Sequence, residues 1–201
     1  MTAPPPRRDA DATRQRLLRA ALDLFTSVGY RATTTPMLAE RAGIAEGTIY
    51  RHVRGKEQLL NEVYRGAQRW AAALVRELDD RALRPAERLQ RLARRFVEAA
   101  ERDPAALRML LHTREERLLD DRSREAALEF RDLLEGIVAS GKSDGVVRAG
   151  PAELWAGVWL AVVGWVGERV GAGEWTPDHP QVGMALDAAW DAIRSEPAQR
   201  A

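Results

Sequence analysis

The 201-residue sequence contains no cysteine, which excludes disulfide scaffolds, zinc fingers and thiol catalysis. A reducing compartment suits that composition, and a cytoplasmic location is expected. No apolar run approaches ~18 residues without a charge, so no segment is expected to span a membrane. Histidine is scarce. His52, His112 and His179 stand on unrelated segments, and no Ser–His–Asp or metal-ligand spacing accompanies them. No catalytic centre, metal site or cofactor is therefore expected. Lysine is nearly absent, the basic residues being almost all arginine, which fits a GC-rich genome better than a mechanism. The opening stretch MTAPPPRRDADATR lacks an apolar signal core. Residues 1–10 read as a disordered tail, whose Arg7 and Arg8, with Arg14 further on, could reach a minor groove or neighbouring phosphates.

What is present is charge and helical periodicity. Residues 1–60 carry 10 basic and 6 acidic side chains, whereas residues 61–201 carry 21 and 24. A positive head on a slightly negative body suits a molecule that meets phosphates with one end. Apolar residues recur at helical spacing almost throughout. The spacing predicts helices over 11–28, 56–80, 85–103, 104–112, 115–140, 151–170 and 180–194. The helix over 151–170 is apolar on more than one face, so it must be covered on more than one side. Its Gly157 and Gly164, with Ala161 between them, would let another backbone approach closely.

The chain is organised around Thr33 to Lys56, TTTPMLAERAGIAEGTIYRHVRGK. This reads as two short helices joined by a tight turn, 36–42 and 46–52. Thr34 or Thr35 can cap the first, Pro36 suits its first turn, and Gly43 ends it. Leu38, Ala39, Ile44 and Ile49 can face inward. Ala45, Gly47, Thr48, Tyr50, Arg51 and His52 are then left pointing outward. A short helix of small, aromatic and basic residues fits a major groove about 12 Å wide. The helix over 11–28 would form a third wall behind this pair.

The run GYRATTTPMLAERAGIAEGTIYRHVRGKEQLL resembles the DNA-binding domain of TetR-type transcriptional regulators. The shared positions are Gly29-Tyr30, the threonines, Leu38-Ala39, Ala42-Gly43-Ile44, Gly47, Tyr50, His52, Lys56-Glu57 and Leu59. Three positions depart from the family pattern. Ala45 stands where a capping Ser is usual, Met37 where an acidic residue is common, and Val53 where an aromatic is usual.

The resemblance implies an all-α fold of about nine helices. A three-helix helix-turn-helix domain over 11–58 would be followed by a ligand-binding and dimerisation domain over 59–195, with a tail over 196–201. It implies double-stranded DNA as partner, contacted by Thr35, Ala45, Gly47, Thr48, Tyr50, Arg51, His52 and Lys56. Arg51 would be the reader of guanine, with His52 and Lys56 on phosphates. It implies an unknown small-molecule effector in a cavity lined by Trp70, Met109, Leu110, His112, Trp155 and Trp159. It also implies a homodimer through the last two helices, for which Trp165, Val182, Leu186, Trp190 and Ile193 are the candidates. A ligand-released repressor on a palindromic operator is the function so implied.

Two other functions compete. Residues 136–143, GIVASGKS, match the phosphate-loop pattern G-x-x-x-x-G-K-[ST], which would make a nucleotide-binding enzyme. The mechanism needs a strand before the loop and a helix after it. The preceding residues instead have helical period, Pro151 leaves little room for a following helix, and Gly141 reads as a helix stop with Lys142-Ser143 in a loop. The other competitor is an architectural DNA-binding protein without an effector.

Overall fold

In the computed structural model, residues 7–111 and 115–195 are described. They form nine α-helices, one isolated antiparallel bridge between Val147 and Arg194, and no sheet. The helices are α1 (Arg7–Leu24), α2 (Thr35–Ala42), α3 (Glu46–His52), α4 (Lys56–Leu78), α5 (Pro85–Arg102), α6 (Pro104–Leu111), α7 (Asp121–Ser143), α8 (Ala152–Gly171) and α9 (Pro180–Asp191).

The head is α1, α2, α3 and the start of α4. Helix α1 begins at Arg7, within the stretch expected to be a tail, and Arg14 pairs with Glu62 of α4 rather than standing free. Its last turn widens into a π-helical turn, Phe25–Gly29. There the Thr26 hydroxyl donates to Leu22 O at 2.8 Å and Ser27 to Asp23 O at 2.6 Å. Hydroxyls that bond back to the preceding turn compete with the helical ladder and bend it. Leu17, Leu38, Ile49, Leu59 and Leu60, each at most 2 % exposed, close the head's core. Burying one such side chain is worth about 1.5–3 kcal/mol.

The body is built on α4, which packs along α7, and on α8, which lies against α5, α7 and α9. At 23 residues, α4 is about 34 Å long at ~1.5 Å per residue. It belongs to the head at one end and to the body at the other. Phe96, Leu92, Trp159, Val163 and Val166 form the centre of the body. On α8 the close approaches are at Gly164, as expected, where a Cβ would lie 2.5 Å from Leu111 Cδ1, and at Gly167 and Gly171. A Cβ on Gly171 would lie 2.7 Å from Pro104 Cβ, and one on Gly167 would collide with Leu107; at Gly157 nothing lies near.

Helix α7 corrects two expectations. It starts at Asp121 rather than near Glu115, because the Asp120 carboxylate accepts from Ser123 N at 2.8 Å and caps it, after a 3-10 turn at Glu116–Leu118. It also runs through Gly141 to Ser143. GIVASGKS is therefore helix throughout, with no strand before it and no loop of free N–H groups to cradle a phosphate. Gly141 serves packing instead. A Cβ there would lie 2.7 Å from Val147 Cγ2 and 3.2 Å from Pro85 Cβ. The Lys142 ammonium donates to Gly150 O and so closes the α7–α8 link. Past α9 the chain returns to that link, Arg148 N donating to Ile193 O and Ser195 N to Val146 O. The same link thereby fixes the end of α9.

Candidate nucleic-acid interface

The two helices over 35–52 are set by local chemistry. The Thr34 hydroxyl accepts from Met37 N at 3.4 Å, and Pro36 stands in the first turn of α2. Gly43 has φ 64°, and its N–H and that of Ile44 return to the last carbonyls of α2. Only glycine reaches that left-handed conformation without strain. The turn then aims α3 away from the core, with Ile49 (2 % exposed) as its anchor. Ala45 is the N-cap of α3 and supplies no side-chain bond, as its departure from the family pattern leads one to expect. Glu46 in the first turn and Arg51 and His52 in the last complement the helix dipole. Val53 is buried and closes the helix with its N–H on Ile49 O.

Four of the six residues expected to point outward are exposed. Tyr50 is 62 % exposed. Ala45, Gly47 and Arg51 are exposed, and Thr48 and His52 are half-buried. Among the described residues, neither the Tyr50 hydroxyl nor the Arg51 guanidinium has a hydrogen-bond or ion-pair partner. Such groups are available to phosphates and base edges. Thr35 is half-buried at the first position of α2, off the exposed face of α3.

Lys56 is a correction. Its ammonium donates to Tyr30 O at 2.7 Å and to Thr33 O at 2.8 Å, and it lies 4.4 Å from the centre of the Tyr30 ring. With a longer contact to Arg31 O at 3.5 Å, these bonds engage the three donors that a phosphate would need. Lys56 thus clips the start of α4 to the α1–α2 turn and holds the pair of short helices in place. Arg54, which the sequence reading passed over, is exposed directly after α3. Its N–H donates to Gln58 Oε1 at 2.8 Å. Gln58, at the third position of α4, thus accepts from the residue before the N-cap Gly55.

The candidate effector residues do not share one cavity. Trp70 faces Phe96 edge-on at 5.7 Å and lines a groove of about 500 Å³ between α1, α4, α5 and α6. Met109 lines a second cavity of about 520 Å³ beside Phe25 and Tyr30. Leu110 lines a third, of about 910 Å³, between α4, α7 and α8. Neither Trp155 nor Trp159 lines any of the three. Trp155 donates to Ala149 O at 3.1 Å beneath Arg148, and Trp159, 1 % exposed, is core. His112 lies outside the described residues.

The candidate dimer residues also divide. Val182, Leu186 and Ile193 are at most 6 % exposed and pack within the chain, and Trp190 is half-buried. The apolar stripe of α9 is the side that meets α5 and α8, so a partner would meet its other side. Trp165 is 44 % exposed and packs edge-on against Trp175 at 5.3 Å. The open positions are Leu154, Gly157, Ala161 and Trp165 on α8 and Met184, 71 % exposed, on α9.

A network that the sequence reading missed, buried at Asn61 and Ser123 and open to solvent at Asp120, joins α4 to α7. Asn61, 4 % exposed, donates to Leu118 O at 2.8 Å and accepts from Asp120 N at 2.8 Å and from the Ser123 hydroxyl at 2.7 Å. Arg65 donates to both Asp120 oxygens. Burial would raise the Asp120 pKa, but the bonds from Ser123 and Arg65 outweigh it and hold the carboxyl below its ordinary value. An asparagine inside the apolar stripe of α4 was the available signal.

Residues 17–63 match the sequence pattern of the bacterial regulatory proteins of the tetR family. The HTH-type transcriptional repressor KstR2 of Rhodococcus jostii is 30 % identical over 172 residues, covering 83 % of this chain and 84 % of that one. The chain belongs to the TetR family. KstR2 of Mycobacterium tuberculosis is 34 % identical over 122 residues, and the chain spans about 60 % of that repressor's length. In shape, a TetR family transcription regulator from Marinobacter aquaeolei superposes with a TM-score of 0.78 at 20 % identity, over 95 % of this chain and all of the other. The ketosteroid transcriptional regulator KstR2 of M. tuberculosis superposes with a TM-score of 0.69 at 26 % identity, over 91 % of this chain and 95 % of that one. The TetR fold is thus present throughout the described residues. Among them, no helix is long and apolar enough to cross a membrane.

Proposed function

We propose that this TetR-family protein is a cytoplasmic, ligand-responsive repressor that binds a palindromic operator as a homodimer. The observation that carries the reading is α3. It is a short helix whose tyrosine and arginine stand outward without partners, held on a head that is rigidly clipped to the long α4. Arg51 would read a guanine, Tyr50, Thr48 and Gly47 would meet phosphates and base edges, and Lys56 would position them. One such helix reads few bases, whereas two related by a two-fold axis read both halves of a palindrome. The open small and apolar positions of α8, with Met184 on α9, support pairing at that face. The relatives named as repressors support the sign of regulation, and the likeness to a ketosteroid transcriptional regulator supports an apolar effector. The family is one of DNA-binding regulators, not of enzymes. The helical state of 136–143 removes the nucleotide-binding alternative.

The test is binding to DNA upstream of this gene or its neighbours. A salt-sensitive preference for a palindrome, by a protein that sediments as a dimer, is expected. Micromolar protein with no such preference would overturn the reading.

A further inference from the structure

The groove between α4, α7 and α8 has a volume of about 910 Å³ and apolar walls that include Leu110, Phe130, Leu134 and Val158, and its open side is edged by Leu154, Gly157 and Ala161 of the α8 face at which pairing is proposed. Gln68 of α4 is among its lining residues and is only 3 % exposed. Its Oε1 has no hydrogen-bond partner among the described residues. A buried carbonyl left unpartnered is costly, and native chains keep few of them. Tyr64, also buried and one turn before Gln68 on α4, lines the same space. The size falls within the ~300–1,000 Å³ of small-molecule sites, which combine apolar walls with few placed polar groups. The charged side chains that border the cavity, Arg131, Glu135 and Glu153, are of mixed sign and partly or fully exposed. None of them is a buried lone charge that would offset an ionised ligand.

We propose that Gln68 anchors the effector and that the effector is a neutral, largely apolar molecule carrying a hydroxyl group. The hydroxyl donates to Gln68 Oε1 beside the Tyr64 hydroxyl, and the remainder fills the apolar walls. This rests on the reading of the protein as effector-responsive. It also gives that reading a route. Gln68 lies twelve residues after Lys56 on the same helix, about 18 Å away. A shift of α4 at Gln68 is therefore a shift of the clip that sets α2 and α3.

Equilibrium dialysis with 1-decanol and its ether 1-methoxydecane tests this on the full chain, beside Gln68→Leu and Gln68→Met. The wild-type protein should bind the alcohol about tenfold more tightly than the ether, the worth of one buried hydrogen bond. Both variants should bind the two compounds alike and, without ligand, melt at a higher temperature than the wild type. Equal binding by the wild type, binding of neither compound, or retained preference in both variants would overturn the proposal. So would a change of sedimenting mass in the variants with the alcohol preference intact, because a second copy of the chain would then be the occupant. Operator binding measured on the same samples separates the two readings. Its absence in the wild type sinks the regulator, whereas alcohol preference alone decides Gln68.

Discussion

At the scale of single residues, two cations of the head have different work. Arg51 stands free on α3, whereas Lys56 spends its donors on Tyr30 O and Thr33 O. Arg51→Ala should lower stability by no more than about 1 kcal/mol, the worth of its charge at the helix end, lose about 1–3 kcal/mol of operator affinity and relax preference at one base pair. Lys56→Ala should lower the stability of the fold by about 2 kcal/mol, the scale of hydrogen bonds from a charged donor. Its weakening of DNA binding should follow from that disorder, with the salt dependence of binding unchanged. Urea unfolding and a salt series of operator titrations distinguish the two. A Lys56→Ala protein of full stability with a shallower salt slope would restore Lys56 as a phosphate contact.

At the scale of elements, α3 is the least well secured. It has seven residues, an alanine for an N-cap and one buried side chain. Short helices are marginal in water, so tertiary packing through Ile49 and the turn at Gly43 must hold it. Ala45→Ser should stabilise the protein by about 1 kcal/mol by supplying the missing acceptor for the first-turn N–H groups. The measure is the urea midpoint at unchanged slope. No gain would mean that the backbone at 45 cannot present the hydroxyl to those groups. Helix α7 shows how an element overrides a motif. Once Asp120 caps it and Gly141 lets Val147 and Pro85 close in, GIVASGKS has a packing role and its lysine closes a link.

For the whole molecule, the question is how the body is coupled to the head. Joints on α4 include the Lys56 clip at its start, the Arg14–Glu62 ion pair and the Asn61–Asp120–Ser123–Arg65 network one to three turns on. Because Asp120 is held below its ordinary pKa in the fold, its ionised form contributes stability above the unfolded carboxylate value, near 4. That contribution is lost as pH falls through the folded value. Asp120→Asn should therefore be less stable than the wild type at pH 7, and the gap should narrow as the pH drops below about 4. Unfolding curves at several pH values check this. A gap independent of pH would show that Asp120 acts as a helix cap and not through its charge.

By itself the sequence determined what local chemistry decides. The bounds of α3, a threonine cap at 34 or 35 for α2, the left-handed Gly43, the outward face of Tyr50 and Arg51 and the all-helical body follow from residue type, spacing and period, none of which needs distant contacts. Tertiary structure alone decided which side of each amphipathic helix meets its own chain. The apolar stripe of α9 looks the same from sequence whether it meets a partner or α5 and α8. The candidate effector residues look the same whether they line one cavity or are divided among several and the closed core. It also decided what distant polar groups do, because the carbonyls that bind Lys56 and the hydroxyl that binds Asn61 are brought there by folding. Periodicity shows that a face is buried, and only the packing of all nine helices shows against what.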